Sequence, residues 1–146
     1  LDAGCGLATL YPLIRGRAAE YVGLDLSEAA LGKAKSAFGS EPGVRFVNAP
    51  FETFPEGGFD AIVLNEVLYY YPLSEAGEKF ALAVSRLRPG GLLVVSMNRN
   101  FKARLIWRRL ERVAPAERAI RVHNLRTGSY WTIKVYRRPQ TAEVPA

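Results

Sequence analysis

Apolar residues fall into short runs that alternate with amphipathic stretches over the first two thirds of this chain. The runs are typical of buried strands: EYVGLDLS (20–27), VRFVNA (44–49), FDAIVLNEV (59–67) and LLVVSM (92–97). Between them, two stretches carry apolar residues at helical spacing, SEAALGKAKSAFG (27–39) and AGEKFALAVSRL (76–87). Buried strands joined by helices predict an α/β fold with a doubly wound, mostly parallel sheet.

Helix boundaries are marked by residues of known capping preference. Ser27 precedes the first helical stretch and is a good N-cap, while Gly39 follows it and ends the helix. The second helical stretch, with Phe80 directed inward, is ended by RPGG (88–91). These signals predict two helices that each connect neighbouring strands.

The last third of the chain changes character. FKARLIWRRLERV (101–113) is predicted to be a helix with one apolar face, formed by Phe101, Leu105, Ile106 and Leu110. Residues 118–138 predict two strands around a turn at 127–129, because apolar and polar residues alternate in the second of them. We therefore expect one domain over residues 1–138, closed by an antiparallel hairpin, and a tail over 139–146.

Composition narrows the class of protein only moderately. The formal net charge is +6, with −3 over residues 1–98 and +10 over residues 99–138. Such asymmetry fits either an anionic partner or simply an arginine-rich surface. No apolar run approaches the roughly 20 residues that a transmembrane helix requires. A single cysteine excludes an internal disulfide, so a cytoplasmic location is expected.

The first candidate for chemistry is the glycine-rich turn in LDAGCGLAT (1–9). Gly4 and Gly6 let backbone approach a ligand closely, although two alternating glycines are weak evidence alone. A dinucleotide site would have a third glycine at position 9, where Thr9 stands. Asp2 would repel a pyrophosphate but suits a ligand that carries an ammonium or sulfonium group.

Asp25 supplies a second contact at the end of the next predicted strand. A carboxylate in this place can accept hydrogen bonds from both hydroxyls of a ribose. Such a site offers an anion to a cationic amino-acid group, bare glycine backbone to the middle of the ligand and a carboxylate to a ribose. S-adenosylmethionine carries these chemical parts and is therefore the expected cofactor.

Four motifs, in this order, are similar to those of the class I S-adenosylmethionine-dependent methyltransferases. LDAGCGLAT resembles their first motif, and GLDLSEAAL resembles their acidic strand end with the helix that follows. FDAIVLNEVLYYYP is similar to their fourth-strand motif, and RLRPGGLLVVS to their helix–turn–fifth-strand signature. The resemblance implies a Rossmann-like sheet of order 3-2-1-4-5-7-6. It also implies that the chain is N-terminally truncated, lacking the family's first helix and most of its first strand.

The resemblance further implies which residues bind the cofactor. The candidates are Asp2, Ala3, Gly4, Gly6, Asp25, Leu26, Pro50, Phe51 and Asn65. Leu26 would lie against the adenine and Asn65 would face the methionine part. The chain departs from the family at Pro50-Phe51, where an aspartate often accepts from the adenine amino group. Phe51 would instead lie near the purine.

Candidates for catalysis follow the fourth predicted strand or lie near the C-terminus. Glu66 or a tyrosine of VLYYY (67–71), such as Tyr70, would orient an amine nucleophile, although core packing also explains some of these tyrosines. His123 is either a general base or a structural histidine.

Cys5 is interpreted as a packing residue rather than a catalytic thiol. With one cysteine and one histidine, no metal site is expected.

Methyl transfer to an N or O nucleophile of a small molecule is the leading hypothesis. NEVLYYYP is similar to small-molecule N-methyltransferases of the nodulation type, and it lacks the Asn-Pro-Pro-aromatic sequence of enzymes that methylate amides or nucleobase amines. Two alternatives stay open. One is an RNA methyltransferase that uses the basic segment 99–138, which is possible but not favoured. The other is a non-catalytic binding module, or a basic helix resting on lipid or a protein partner.

Overall fold

The computed structural model describes residues 1–140, which divide into two compact units. The first unit, Leu1–Pro55, contains β1 (Asp2–Ala3), α1 (Tyr11–Ile14), β2 (Tyr21–Asp25), α2 (Glu28–Phe38) and β3 (Val44–Asn48). The second unit begins at Glu56 and contains β4 (Phe59–Asn65), a 3₁₀ helix (Leu68–Tyr70), α3 (Ala76–Arg86), β5 (Leu87–Asn98), α4 (Phe101–Val113), β6 (Arg118–Asn124) and β7 (Ser129–Arg137). Most of the predicted tail, residues 141–146, lies outside the described residues.

The strand order is β3-β2-β1-β4-β5-β7-β6, as the family resemblance implies. Strands β1, β2 and β3 are parallel to one another, and β4 is parallel to β5. Strand β7 is antiparallel to both β5 and β6. The predicted Rossmann-like α/β sheet, mostly parallel with an antiparallel C-terminal hairpin, is confirmed.

Helix α2 begins where its sequence predicts. The Ser27 side-chain oxygen accepts a hydrogen bond from the backbone N–H of Ala30 at 3.2 Å, which satisfies one donor of the first turn. The helix then buries Leu31 and Ala34 in a core cluster that also contains Tyr21 and Phe46 of the neighbouring strands. The cap therefore fixes the start of α2 directly after Asp25, the last residue of β2.

Strand β5 begins earlier than the apolar run indicates. Phe59 pairs with Leu87, but Ala61 already pairs with Leu92, so residues 88–91 bulge out of the ladder. Gly90 in this bulge has a φ of 77°, which glycine adopts without a Cβ clash. The RPGG segment thus ends helix α3 as predicted, but it becomes a bulge inside the strand rather than a loop before it.

The buried face of α4 differs from the predicted one at its first residue. Ala103, Ile106 and Leu110 are buried, whereas Phe101 is 71% exposed. The prediction was wrong for Phe101 because helical periodicity does not show which neighbouring elements cover the first turn. Along the hairpin, Tyr136 is buried and residues 118–123 of the edge strand are exposed.

Candidate functional site

The glycine turn of the first unit is tied to β2 by its backbone. The N–H groups of Gly4 and Cys5 both donate to the carbonyl oxygen of Leu24 at 2.8 Å. Gly4 and Gly6 have φ values of 80° and 53°, in the left-handed region. A Cβ built at Gly6 would meet nothing within 4 Å among the described residues. Packing against the rest of the described chain therefore does not require glycine at position 6, and the backbone there is open to a ligand.

Asp2 is buried below this turn beside a tyrosine. Its side chain is only 3% exposed, and its Oδ2 accepts a hydrogen bond from the Tyr21 hydroxyl at 2.7 Å. Burial raises the pKa of Asp2 above its ordinary 3.8, and the hydrogen bond from Tyr21 opposes that rise. Burial therefore makes the charged form of Asp2 costly, and a cationic group bound beside it would offset that cost.

Asp2→Asn is expected to stabilise the chain at neutral pH, raising the melting temperature by roughly 2–4 °C. A raised folded-state pKa means that proton uptake favours the folded state, so the wild-type chain loses stability as pH rises above 3.8. Asparagine does not titrate, and it can still accept from Tyr21. Thermal melts of both proteins across pH test this. The difference should vanish below about pH 4 and grow above it; a gain that is constant with pH would contradict the assignment.

Asp25 holds the glycine turn and the start of α2 together. Its Oδ2 accepts from the Gly6 N–H at 2.7 Å, and its Oδ1 accepts from the Ser27 N–H at 2.8 Å. The Asn48 side-chain amide donates to the backbone carbonyl of Asp25 at 3.0 Å. Each carboxylate oxygen has a second lone pair, so Asp25 can still accept from two hydroxyl groups.

The other predicted cofactor residues of this unit differ in exposure. Ala3 is fully buried in β1, so its side chain belongs to the core. Leu26 is 70% exposed at the end of β2, which suits a flat apolar ligand part lying on it. Pro50 is exposed after β3, whereas Phe51 is buried. The cofactor roles of these residues stay predictions.

Cys5 is a buried free thiol between the two glycines. Burial, reinforced by the negative charges of Asp2 and Asp25, raises its pKa to about 12. The thiol is therefore protonated at neutral pH, which agrees with a packing role. Within residues 1–140, no group of three or more metal-ligating side chains lies together.

In the second unit, Glu66 follows β4 in a strained conformation. Its φ is 61°, which is unfavourable for a residue with a Cβ. Its Oε2 accepts from the Tyr69 hydroxyl at 2.9 Å and from the Asn98 N–H at 3.0 Å, and its Oε1 accepts from the Ser96 hydroxyl at 3.3 Å. Glu66 thus joins the carboxyl ends of β4 and β5 through three hydrogen bonds, beside the exposed Asn65.

Tyr69 and Tyr70 lie in different environments. Tyr69 is half-buried, and burial followed by its hydrogen bond to Glu66 raises its pKa, so it remains a donor at neutral pH. Tyr70 is 80% exposed, with its ring centroid 5.0 Å from that of Tyr69. His123 is exposed on β6 and its ring is stacked on Tyr130, with centroids 4.0 Å apart. The catalytic roles of Glu66, Tyr70 and His123 stay predictions.

Several positioning residues were missed from the sequence. Tyr21 was visible as a polar residue in a buried strand, and its side chain needed a partner. Ser96 and Asn98 gave no signal, because their contact with Glu66 joins two strands about 30 residues apart. Ala8 is buried and has a φ of 57°, a conformation that favours glycine, so nothing in the sequence indicated it.

Comparison with known proteins agrees with this fold. The chain belongs to a methyltransferase domain family, whose model matches residues 1–95. It is 37% identical over 110 residues to a ubiquinone biosynthesis O-methyltransferase of Aromatoleum aromaticum, a match that covers 72% of this chain and 46% of that protein. It is 36% identical over 103 residues to a trans-aconitate 2-methyltransferase of Escherichia coli, covering 68% of this chain and 39% of that protein.

A solved structure shows the same fold at low sequence identity. The N-methyltransferase NodS from Bradyrhizobium japonicum WM9 superposes with a TM-score of 0.82 and 18% identity, covering 94% of this chain and 84% of that one. The chain spans less than half the length of the two curated relatives described above.

Proposed function

We propose that this chain transfers a methyl group from S-adenosylmethionine to an N or O nucleophile of a small molecule. The observation that carries the proposal is the arrangement of Asp25, which accepts from the backbone of Gly6 and from the start of α2. Support also comes from the two curated relatives, whose names describe small-molecule methyltransferases.

The residues of the first unit fit the cofactor in charge and shape. The buried carboxyl group of Asp2 would hold the amino group, and Asp25 would hold the ribose hydroxyls. The open backbone at Gly6 would allow close approach. When bound, S-adenosylmethionine supplies a methyl group on a sulfonium that is already activated for displacement by a nucleophile.

Because the methyl donor is activated, this chain's own residues have mainly to align and shield the reactants. Glu66 is tied by three hydrogen bonds, so we assign it to holding the ends of β4 and β5. Tyr70 and His123 remain the candidates for accepting a proton from the acceptor.

Calorimetric titration with S-adenosylhomocysteine and with NAD tests the proposal. We expect saturable binding of the first and none of the second, followed by transfer of labelled methyl to small acceptors. Preference for NAD would overturn it. Saturable binding of an RNA oligonucleotide that weakens steeply with added salt would favour the RNA alternative.

Gly6→Ala is expected to leave folding largely intact and to weaken S-adenosylhomocysteine binding at least roughly tenfold. The new Cβ meets nothing within 4 Å in the described chain, so its folding cost is the left-handed φ, roughly 1–2 kcal/mol. The same methyl group would block ligand approach to the backbone. Gly16→Ala is the matched control, since Gly16 has a φ of 76° and similarly open surroundings. Equal binding by both variants would contradict the placement of the cofactor.

A cytoplasmic location is part of the proposal and is supported by the free thiol of Cys5. Among residues 1–140, no helix is long and apolar enough to cross a membrane.

A further inference from the structure

A cavity of about 590 Å³ lies between the first half of α4 and the β6–β7 hairpin of the second unit. Its walls combine flat aromatic rings with guanidinium groups. The aromatic residues are Phe101, Trp107, Tyr130 and Trp131, and the arginines are Arg99, Arg104 and Arg121. Neither the glycine turn nor Asp25 contributes to this cavity.

Among the residues that the structure describes, the three arginines of the cavity have no acidic partner. No carboxylate oxygen of residues 1–140 lies within 4.0 Å of their guanidinium nitrogens. Other arginines of this unit are paired, for example Arg88 with Asp60 at 2.7 Å. The cavity therefore carries uncompensated positive charge and attracts an anion.

Two of these guanidinium groups lie over aromatic rings. The Arg99 Cζ is 5.9 Å from the Tyr130 ring centroid, and the Arg104 Cζ is 5.7 Å from that of Phe101. A guanidinium close to an aromatic ring can still use its N–H edge to donate to a carboxylate in a bidentate manner. The aromatic walls meanwhile suit a ligand with a flat body.

The cavity lies at the edge of the sheet where open α/β folds bind ligands. Asn65 pairs with Ser96, and Asn98 pairs with Trp131, so Trp131 lies just beyond the carboxyl end of β4. Ligands of such sheets bind outside the carboxyl ends of the strands. Asn98, whose N–H donates to Glu66, directly precedes Arg99 of the cavity. Glu66 and the cavity thus share one strand end.

We propose that this cavity binds the methyl acceptor and that the acceptor is a planar organic anion, an aromatic or conjugated carboxylate. This inference rests on the proposed function. The carboxylate is held by Arg99, Arg104 and Arg121, and the flat body lies against the tryptophans. The cavity volume falls within the range of roughly 300–1,000 Å³ that encloses a small ligand, whereas single-stranded nucleic acid follows an extended groove.

Tryptophan fluorescence tests the proposal directly, because both tryptophans of the chain line the cavity. Isophthalate serves as the probe and isophthalamide as its neutral counterpart. We expect a saturable fluorescence change with isophthalate and at least roughly tenfold weaker binding of the diamide, since the charge-assisted hydrogen bonds are lost. Equal binding of the two probes, or no saturable change, would overturn the proposal.

Two arginine variants sharpen this test. Arg121→Gln removes one guanidinium from the cavity and should weaken isophthalate binding roughly tenfold. Arg126→Gln, in the exposed loop between β6 and β7, is the matched control and should not change it. An RNA oligonucleotide serves as a competitor. If it displaces isophthalate, and if both arginine variants weaken its binding, the cavity is part of a nucleic-acid surface and the proposal is overturned.

Failure here can be separated from failure of the proposed function. Calorimetric titration of the same variants with S-adenosylhomocysteine should give wild-type affinity, because the cavity lacks the predicted cofactor residues. Binding of S-adenosylhomocysteine without any response to isophthalate would contradict only the proposed class of acceptor. Absence of S-adenosylhomocysteine binding in the wild-type chain would instead contradict the proposed methyltransferase function.

Discussion

Asp25→Ala is expected to weaken S-adenosylhomocysteine binding by at least roughly 100-fold, measured by calorimetry. Hydrogen bonds to a carboxylate are worth roughly 1.5–3 kcal/mol each, and the ribose would offer two hydroxyl groups. The variant also removes the acceptors of the Gly6 and Ser27 N–H groups, so the glycine turn loses its tie to the start of α2. Both effects lower affinity.

Asp60→Ala is the control for this prediction. Asp60 is an exposed carboxylate paired with Arg88 at 2.7 Å, and surface pairs contribute roughly 0–1 kcal/mol to stability. This variant should bind S-adenosylhomocysteine as the wild type does. Asp25→Asn keeps one acceptor oxygen and should fall between the two. If Asp25→Ala and Asp60→Ala bind alike, the ribose assignment is wrong.

Local patterns predicted the individual elements because they depend on neighbours in sequence. The cap at Ser27 needs only the backbone three residues on, and the apolar spacing of α2 needs only its own turns. The strand order is different, since no local pattern says which strand lies beside which. It came from the four motifs that resemble a known family, and the structure confirms it.

The features that were missed all depend on residues far apart in the chain. The bulge at residues 88–91 arises from pairing with β4, and the exposure of Phe101 depends on which elements pack against α4. The cavity unites arginines and tryptophans from the α4 region and from the hairpin, which composition described only as a basic segment. Charge counted along the sequence could not show which of these residues lie together.

The first unit contains two carboxyl groups in different environments. Asp2 is buried beside one hydroxyl donor, and burial raises its pKa. Asp25 accepts hydrogen bonds from two backbone N–H groups and ties the glycine turn to the start of α2. The sequence identified both residues but not this difference between them.

Glu66→Ala is expected to lower the free energy of unfolding by about 3 kcal/mol, measured by urea denaturation. The change removes three hydrogen bonds and leaves the Asn98 N–H and Tyr69 hydroxyl without their acceptor, each worth roughly 1 kcal/mol or more. Alanine keeps the unfavourable φ of 61°. Glu66→Gly loses the same hydrogen bonds but relieves the backbone strain, roughly 1–2 kcal/mol. Glycine should therefore be the more stable replacement, the reverse of the usual order.

The comparison of these variants separates backbone strain from side-chain bonding. Glu66→Gln retains an acceptor oxygen and should lose less stability than either. Glu78→Ala, an exposed glutamate of α3, is the control and should change stability by no more than roughly 0.5 kcal/mol. If Glu66→Ala proves as stable as Glu66→Gly, glycine relieves no strain at this position, and the backbone there is not strained as inferred. The positioning role of Glu66 rests on its three hydrogen bonds, so it would be contradicted if Glu66→Ala lost no more stability than Glu78→Ala.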